Sequence, residues 1–126
     1  MSTALEDIRE TLGAYFDALY FCDVDKLESV FHPAAVYATP DETPLLHRTM
    51  AEYFPIVAGR QSGDFRNDVR RDHIDAVDIV SDNVALARVR CSIGTRDFVD
   101  FLTLVRVDHG KWRIIAKIFN IIEPKR

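Results

Sequence analysis

Cysteine is scarce in this chain: Cys22 and Cys91 are the only two in 126 residues, too few for a disulfide-stapled scaffold. Neither belongs to a CxxC pair, so spacing excludes a dithiol redox centre and a zinc knuckle. Cys91, set in an alternating stretch, reads as a small core residue. Long apolar runs are also missing. No segment approaches the roughly 18 apolar residues of a membrane span, and MSTALEDIRE lacks the basic region and apolar run of a signal peptide. The expectation is a cytoplasmic protein without membrane contact. Excess positive charge is absent as well: 16 Lys and Arg face 20 Asp and Glu, for a net charge of −4. Arg70 and Arg71 are flanked by Asp68 and Asp72, so no nucleic-acid partner is expected. His32, His47, His73 and His109 show no HxH or HxxxH spacing, and neither a metal site nor a cofactor is assigned.

What is present suits one folded unit. With 48% hydrophobic and 29% charged residues, residues 1–126 are expected to form a single domain around one core. Thr3 followed by Glu6 makes a helix start. Leu5, Ile8, Leu12, Tyr15, Phe16 and Leu19 then recur at helical spacing, predicting a helix over 4–21. A shorter helix follows Asp23, with Val24, Leu27 and Val30 buried and Pro33 as its stop. Residues 36–39 read as a short strand. Thr49 and Glu52 repeat the capping signal ahead of Tyr53, Phe54, Ile56 and Val57, a helix that Pro55 is expected to kink or divide; 59–63 reads as loop.

From about Asp68 the period changes to two. Residues 73–80 form a strand closed by Ser81-Asp82-Asn83. In 83–93, Ala85, Ala87, Val89, Cys91 and Ile93 share one face, and Leu86, Arg88, Arg90 and Ser92 the other. Residues 98–107 and 112–122 are apolar on both faces and joined by a tight turn at Asp108-His109-Gly110. A sheet apolar on both sides must be covered twice. Three short helices cover one face, so a second subunit is expected on the other, with Phe98, Leu102, Leu104, Ile114 and Ile118 as candidate contacts.

Two blocks, YFDALYFCDVDKLESVFHPAAVY at 15–37 and FVDFLTLVRVDHGKWRIIAKIFN at 98–120, resemble the nuclear-transport-factor-2-like superfamily, whose SnoaL-like and ketosteroid isomerase-like members include dehydratases and cyclases. Within it the chain is most similar to small proteins labelled "putative lumazine-binding". The resemblance implies an α+β cone of the cystatin-like kind: a strongly bent antiparallel sheet wrapped around N-terminal helices, enclosing a pocket. The second subunit expected from the apolar strand faces would then make a homodimer through the convex sheet face. It also implies that Tyr15 matches the tyrosine with which the isomerases hydrogen-bond an enolate oxygen. Their general-base aspartate falls at Thr39, and their protonated aspartic acid falls near Thr103. Threonine is too weak a base to abstract a carbon-bound proton, so steroid-isomerase chemistry is not expected.

For acid–base work the weak candidates are Tyr15, His73 and Asp75. The last two lie two apart on one strand: a catalytic pair if that face is concave, a surface pair if it is not. Charged and polar residues that interrupt apolar strands need an ion pair, water or a ligand; these are Arg88, Arg90, Asp100, Lys117 and Asn120. If the alanine and cysteine face of 85–93 packs against the helices, Arg88 and Arg90 lie on the dimer side; in the register that the family resemblance implies they enter the cone with Lys117. A pairing of Arg90 with Asp100, or closure by Asp75 or Asp78, would neutralise them. The candidate ligand contacts are therefore Tyr15, Tyr37, Thr39, Tyr53, Phe54, Arg90, Thr103, Lys117 and Asn120. The leading expectation is a binder of a small, flat, anionic organic ligand inside the cone. The alternatives are an isomerase, dehydratase or cyclase using a pocket acid–base pair, and a structural or interaction domain without a ligand site.

Overall fold

The computed structural model describes residues 3–122. Helix α1 (Ala4–Phe21) begins where Thr3 Oγ1 accepts from the Glu6 N–H and ends at Cys22 in the left-handed region, whose N–H caps the last carbonyls. Ile8, Leu12, Tyr15, Phe16 and Ala18 form its buried face, whereas Leu5 is 39% exposed. Helix α2 (Val24–Val30), capped by Asp23, buries Leu27 and Val30.

Strand β1 (Phe31–Thr39) starts directly after α2, so Pro33 does not stop that helix but sits inside a strand twice the expected length. Pairing of β1 with its neighbour is irregular between Phe31 and Val36, which leaves proline's missing N–H outside the ladder. A short strand, β2 (Leu46–Thr49), leads into α3 (Met50–Ala58), where Thr49 and Glu52 close a capping box. Pro55 lies inside α3 without dividing it, because it removes a single internal hydrogen bond and the helix is held by Met50, Tyr53 and Val57 in the core. The 59–63 loop runs into one further turn of helix, α4 (Gly63–Arg66), capped by Ser62.

The remaining chain is β3 (His73–Ile79), β4 (Val84–Ile93), β5 (Arg96–Arg106) and β6 (Trp112–Ile122). The six strands form one sheet in the order β2-β1-β6-β5-β4-β3. Pairing is antiparallel except between β1 and β6, which run parallel, so the sheet is mixed. Bulges interrupt β3 against β4 at Asp75 and β6 against β5 at Ile115; extra residues of this kind bend a strand and increase its twist. The bent sheet closes over α1, and the core lies between them.

Register decides which side chains meet there. Ala85, Ala87, Val89 and Cys91 of β4 pair with Leu104, Leu102, Asp100 and Phe98 of β5, and the last three pair with Lys117, Phe119 and Ile121 of β6. All of these face inward. Phe98, Leu102, Leu104 and Ile114 are therefore core, not candidates for a dimer surface; of the five expected there, only Ile118 points out. Both long strands are apolar on both faces, so period alone could not orient them, and a shift of one residue exchanges the faces. The outer face instead carries Val36, Leu86, Phe101, Ile118 and Ile122, each 36–47% exposed.

Candidate functional site

Sheet and helices converge on one buried polar cluster. Tyr15, on the inner face of α1, donates its hydroxyl to Asp100 Oδ2 at 2.7 Å. Asp100 is 1% exposed; Cys91 Sγ lies 3.6 Å from the same oxygen, and no protein group donates to Oδ1. Next to it on the inner face, Lys117 is 6% exposed. Its ammonium lies 5.2 Å from the centroid of the Tyr15 ring and 5.5 Å from those of Tyr37, Tyr53 and Phe119. These are distances at which an aromatic face attracts a cation. Tyr37 and Tyr53 stack at 4.3 Å, and Lys117 Nζ reaches the Tyr53 hydroxyl at 3.5 Å.

Four groups in the cluster have shifted proton affinities. Burial, followed by the charge of Asp100, holds the Tyr15 phenol well above its ordinary pKa. Burial likewise raises Tyr53, against the opposing pull of Lys117, and it raises the Cys91 thiol, with Asp100 adding to it. For Lys117 burial acts downward, but Tyr53, Asp100, Cys91 and Tyr37 together outweigh it, and the net shift is upward. Tyr15 and Tyr53, with their proton affinities raised, are protonated at neutral pH, and Asp100 is the carboxyl group that faces Lys117 in the cluster. The arrangement is thus two hydroxyl donors, one cation and one carboxylate in a low-dielectric interior, where each is electrostatically strong. It supplies no free amine, because Lys117 stays protonated, and none of the four histidines lines it.

Of the other expected site residues, Thr39 is buried at the end of β1, but its hydroxyl is committed to the Phe119 carbonyl at 2.7 Å. Phe54 packs edge-on against Phe31 and is half-buried. Five candidates lie outside the cone. Thr103 pairs with Leu86 and Ala116 on the convex face; the acid facing Tyr15 is Asp100, three residues earlier. Asn120 is exposed and donates to Asp41 Oδ1 at 2.7 Å. Arg90 pairs across the sheet with His73 and bonds Asp75 at 2.8 Å, as Arg88 does at 3.3 Å. His73 Nε2 lies 3.5 Å from Asp75 with its side chain 61% exposed, so this pair belongs to the convex surface and not to the interior of the cone. Placing Ala85 to Cys91 against the helices sends the arginines outward, where Asp75, and not Asp100, neutralises them. The two residues that dominate the interior, Asp100 and Lys117, were each flagged in the sequence as a charge interrupting an apolar strand; their partnership with Tyr15 was not.

The interior is closed. Tyr15 is 0% and Tyr53 1% exposed, so no water-sized space adjoins either ring. Near the cone's mouth a narrow void of about 20 Å³ runs between α1 and β4, lined by Phe16, Tyr20, Val69 and Cys91 among others. Of the 59–72 segment, Asp68, Val69, Arg70 and Asp72 line its outer side; they are tied down by Tyr20 Oη donating to the Asp68 carbonyl at 2.8 Å and by ion pairs of Arg70 with Asp17 and of Arg71 with Asp97.

Comparison with solved structures gives the same architecture. An NTF2-like protein of unknown function from Shewanella baltica OS155 superposes with a TM-score of 0.83 at 22% identity, covering 98% of this chain and 100% of that one. A second, from Silicibacter pomeroyi DSS-3, gives 0.79 at 22%, covering 97% and 100%. A ketosteroid isomerase-like protein from Erwinia carotovora atroseptica SCRI1043 gives 0.76 at 15%, covering 98% and 100%. At these identities the likeness establishes the NTF2-like cone and nothing about chemistry. No curated protein sequence matches the chain significantly. The family described as "Putative lumazine-binding" matches residues 3–120, and the chain belongs to that family.

Proposed function

We propose that this protein binds a small, flat organic molecule inside the cone, at the cluster of Tyr15, Asp100, Lys117, Tyr37 and Tyr53. One observation carries the proposal: the cluster is buried yet has spare hydrogen-bonding capacity. An ammonium has three N–H donors, and Lys117 makes a single long contact, to Tyr53, while Asp100 Oδ1 has no donor. A core evolved only for stability would replace such groups with apolar ones of similar volume, commonly without loss.

The same inventory revises the ligand's charge. An anion was expected because three bases outnumbered one acid in the apolar strands, but Arg88 and Arg90 lie outside. Inside, one cation faces one carboxylate. The matching ligand is a flat heterocycle offering a carbonyl acceptor to Lys117 and an N–H donor to Asp100, with its ring packed against the aromatic rings that surround Lys117. Lumazine, in the family's description, is a ring system of this chemical kind. Entry requires the 59–72 segment to move, and Cys91, which lines the void beneath it and touches Asp100, marks the route. An acid–base enzyme is the weaker reading, since the cluster holds no histidine and its lysine is protonated.

The closed interior supports a second reading, a domain that acts only through its convex face. Thermal denaturation of the wild type and Lys117→Met with lumazine and related cyclic imides separates the two. A ligand at a hundred times its Kd adds about 2.7 kcal/mol to stability. The binding reading requires stabilisation of the wild type that Lys117→Met weakens by tenfold or more in Kd. If no member of that class stabilises the wild type, the convex-face reading stands.

A further inference from the structure

A second opening lies at the opposite, narrow end of the cone, and it is lined by charges that serve neither the cluster nor the convex face. It is a groove of about 490 Å³ between the start of α1, the end of α2 and the β5–β6 turn, within the size range of small-molecule sites. Arg106 lies two residues beyond inward-facing Leu104, opposite buried Trp112. Alternation therefore sends an arginine into the inner layer, under α1. Its Nε is buried and donates to nothing. A buried donor left unpaired is costly, and the natural acceptors, Asp7 and Glu10 on the wall formed by α1, do not supply the bond. No ion pair among the described residues engages Arg106, Asp7 or Glu10. Opposite charges thus face one groove without closing on each other, above an apolar floor that includes Trp112 and Val30.

We infer that this groove is a binding site for a small zwitterion, an amino carboxylate with an apolar body. The planar guanidinium of Arg106 takes the carboxylate, as arginine forks do. Asp7 and Glu10 take the ammonium, a contact that a ligand bearing the carboxylate alone cannot make; Lys111 and His109 line the same groove. The floor takes the apolar part. This inference is independent of the interior site, because no residue of the cluster lines the groove.

The test uses phenylalanine as the probe, with 3-phenylpropanoate and phenethylamine as controls lacking the amine and the carboxylate. Each is titrated into the protein with backbone amide and indole N–H shifts as the readout. Saturable shifts at Thr11, Gly110 and the Trp112 indole are expected with phenylalanine at millimolar concentration. Both controls should bind at least about tenfold more weakly, the usual effect of losing one charge-assisted bond. Arg106→Gln should abolish saturation. Since Arg106 is half-buried, Glu10→Gln at an exposed helix position provides a second variant, expected to weaken phenylalanine but leave 3-phenylpropanoate unchanged or improved. Lys117→Met should alter neither titration. Absence of saturable shifts, equal binding of all three probes, or indifference to Glu10→Gln would each overturn the proposal.

Discussion

The hydroxyl of Tyr15 and the carboxylate of Asp100 meet at 2.7 Å inside the cone, 85 residues apart in the chain. The bond ties the first helix to the inner face of the sheet. It is also the sole hydrogen bond under 3 Å that either side chain makes among the described residues.

Tyr15→Phe is accordingly expected to destabilise the protein by about 1–3 kcal/mol, the cost of leaving a buried acceptor under-satisfied. Urea unfolding measures it. Asp100→Asn should recover little, because an amide in that position still has to place two N–H donors. A Tyr15→Phe variant as stable as wild type would mean that Asp100 already has another donor.

Alkaline stability should be governed by the same cluster. Tyr15, Tyr53, Cys91 and Lys117 all have folded-state pKa values raised above their ordinary ones. Groups of this kind contribute stability that is fully present below their unfolded-state pKa and is lost as pH rises toward the folded-state value. The melting temperature should therefore fall steeply above about pH 9–10, where unfolded cysteine, tyrosine and lysine begin to release protons. Tyrosinate absorbance from Tyr15 and Tyr53 should appear only with unfolding. Tyr15→Phe should flatten that alkaline limb relative to its own neutral value.

On the convex face, Phe101 and Ile118 are cross-strand partners and are 47% and 40% exposed. With Val36 and Leu86 they make an apolar stripe of the sort that marks an interface. Light scattering is expected to give twice the 14.4 kDa of one chain, and Phe101→Asp should return it to that value without loss of secondary structure. A wild type that stays at 14.4 kDa at micromolar concentration contradicts the dimer.

Gly63 packs so tightly against α1 that an added Cβ would lie 2.7 Å from two carbons of the Tyr20 ring. The ring is held by its hydroxyl bond to the Asp68 carbonyl and by Arg70 over its face at 4.9 Å. Gly63→Ala should cost about 1–3 kcal/mol, as overpacking does, and should loosen the 59–72 cover. Pairing it with Tyr20→Leu should recover part of the loss in thermal denaturation.

Much of this fold was legible because period and capping agreed. The bounds of α1, the cap of α3 and the alternating faces of β4 follow from residue spacing alone, and the two family-resembling blocks supplied the cone. What was not legible depends on register. In β5 and β6 apolar residues fall on both faces, so period does not mark the inner side, and Phe98, Leu102, Leu104 and Ile114 face inward rather than toward a partner. The fate of Arg90 followed from the same ambiguity, compounded by the bulge at Asp75, which no local signal announces. Lys117 and Asp100 could be singled out as costly burials. That Tyr15 and three further aromatic rings converge on them is a property of the folded sheet. Arg106 was passed over because a charge beside a turn ordinarily reads as solvated.

For the polar cluster to serve as the proposed ligand site, the cone has to open in the native state. Cys91 reports on it directly, being 7% exposed and in contact with Asp100. In a Cys22→Ser background, the rate at which a thiol reagent modifies Cys91 is compared with the rate of global unfolding under the same conditions. Opening of the cone predicts modification well ahead of unfolding, slowed when a bound heterocycle fills the site. Modification that never outpaces unfolding would mean the cluster is sealed core and would contradict the claim.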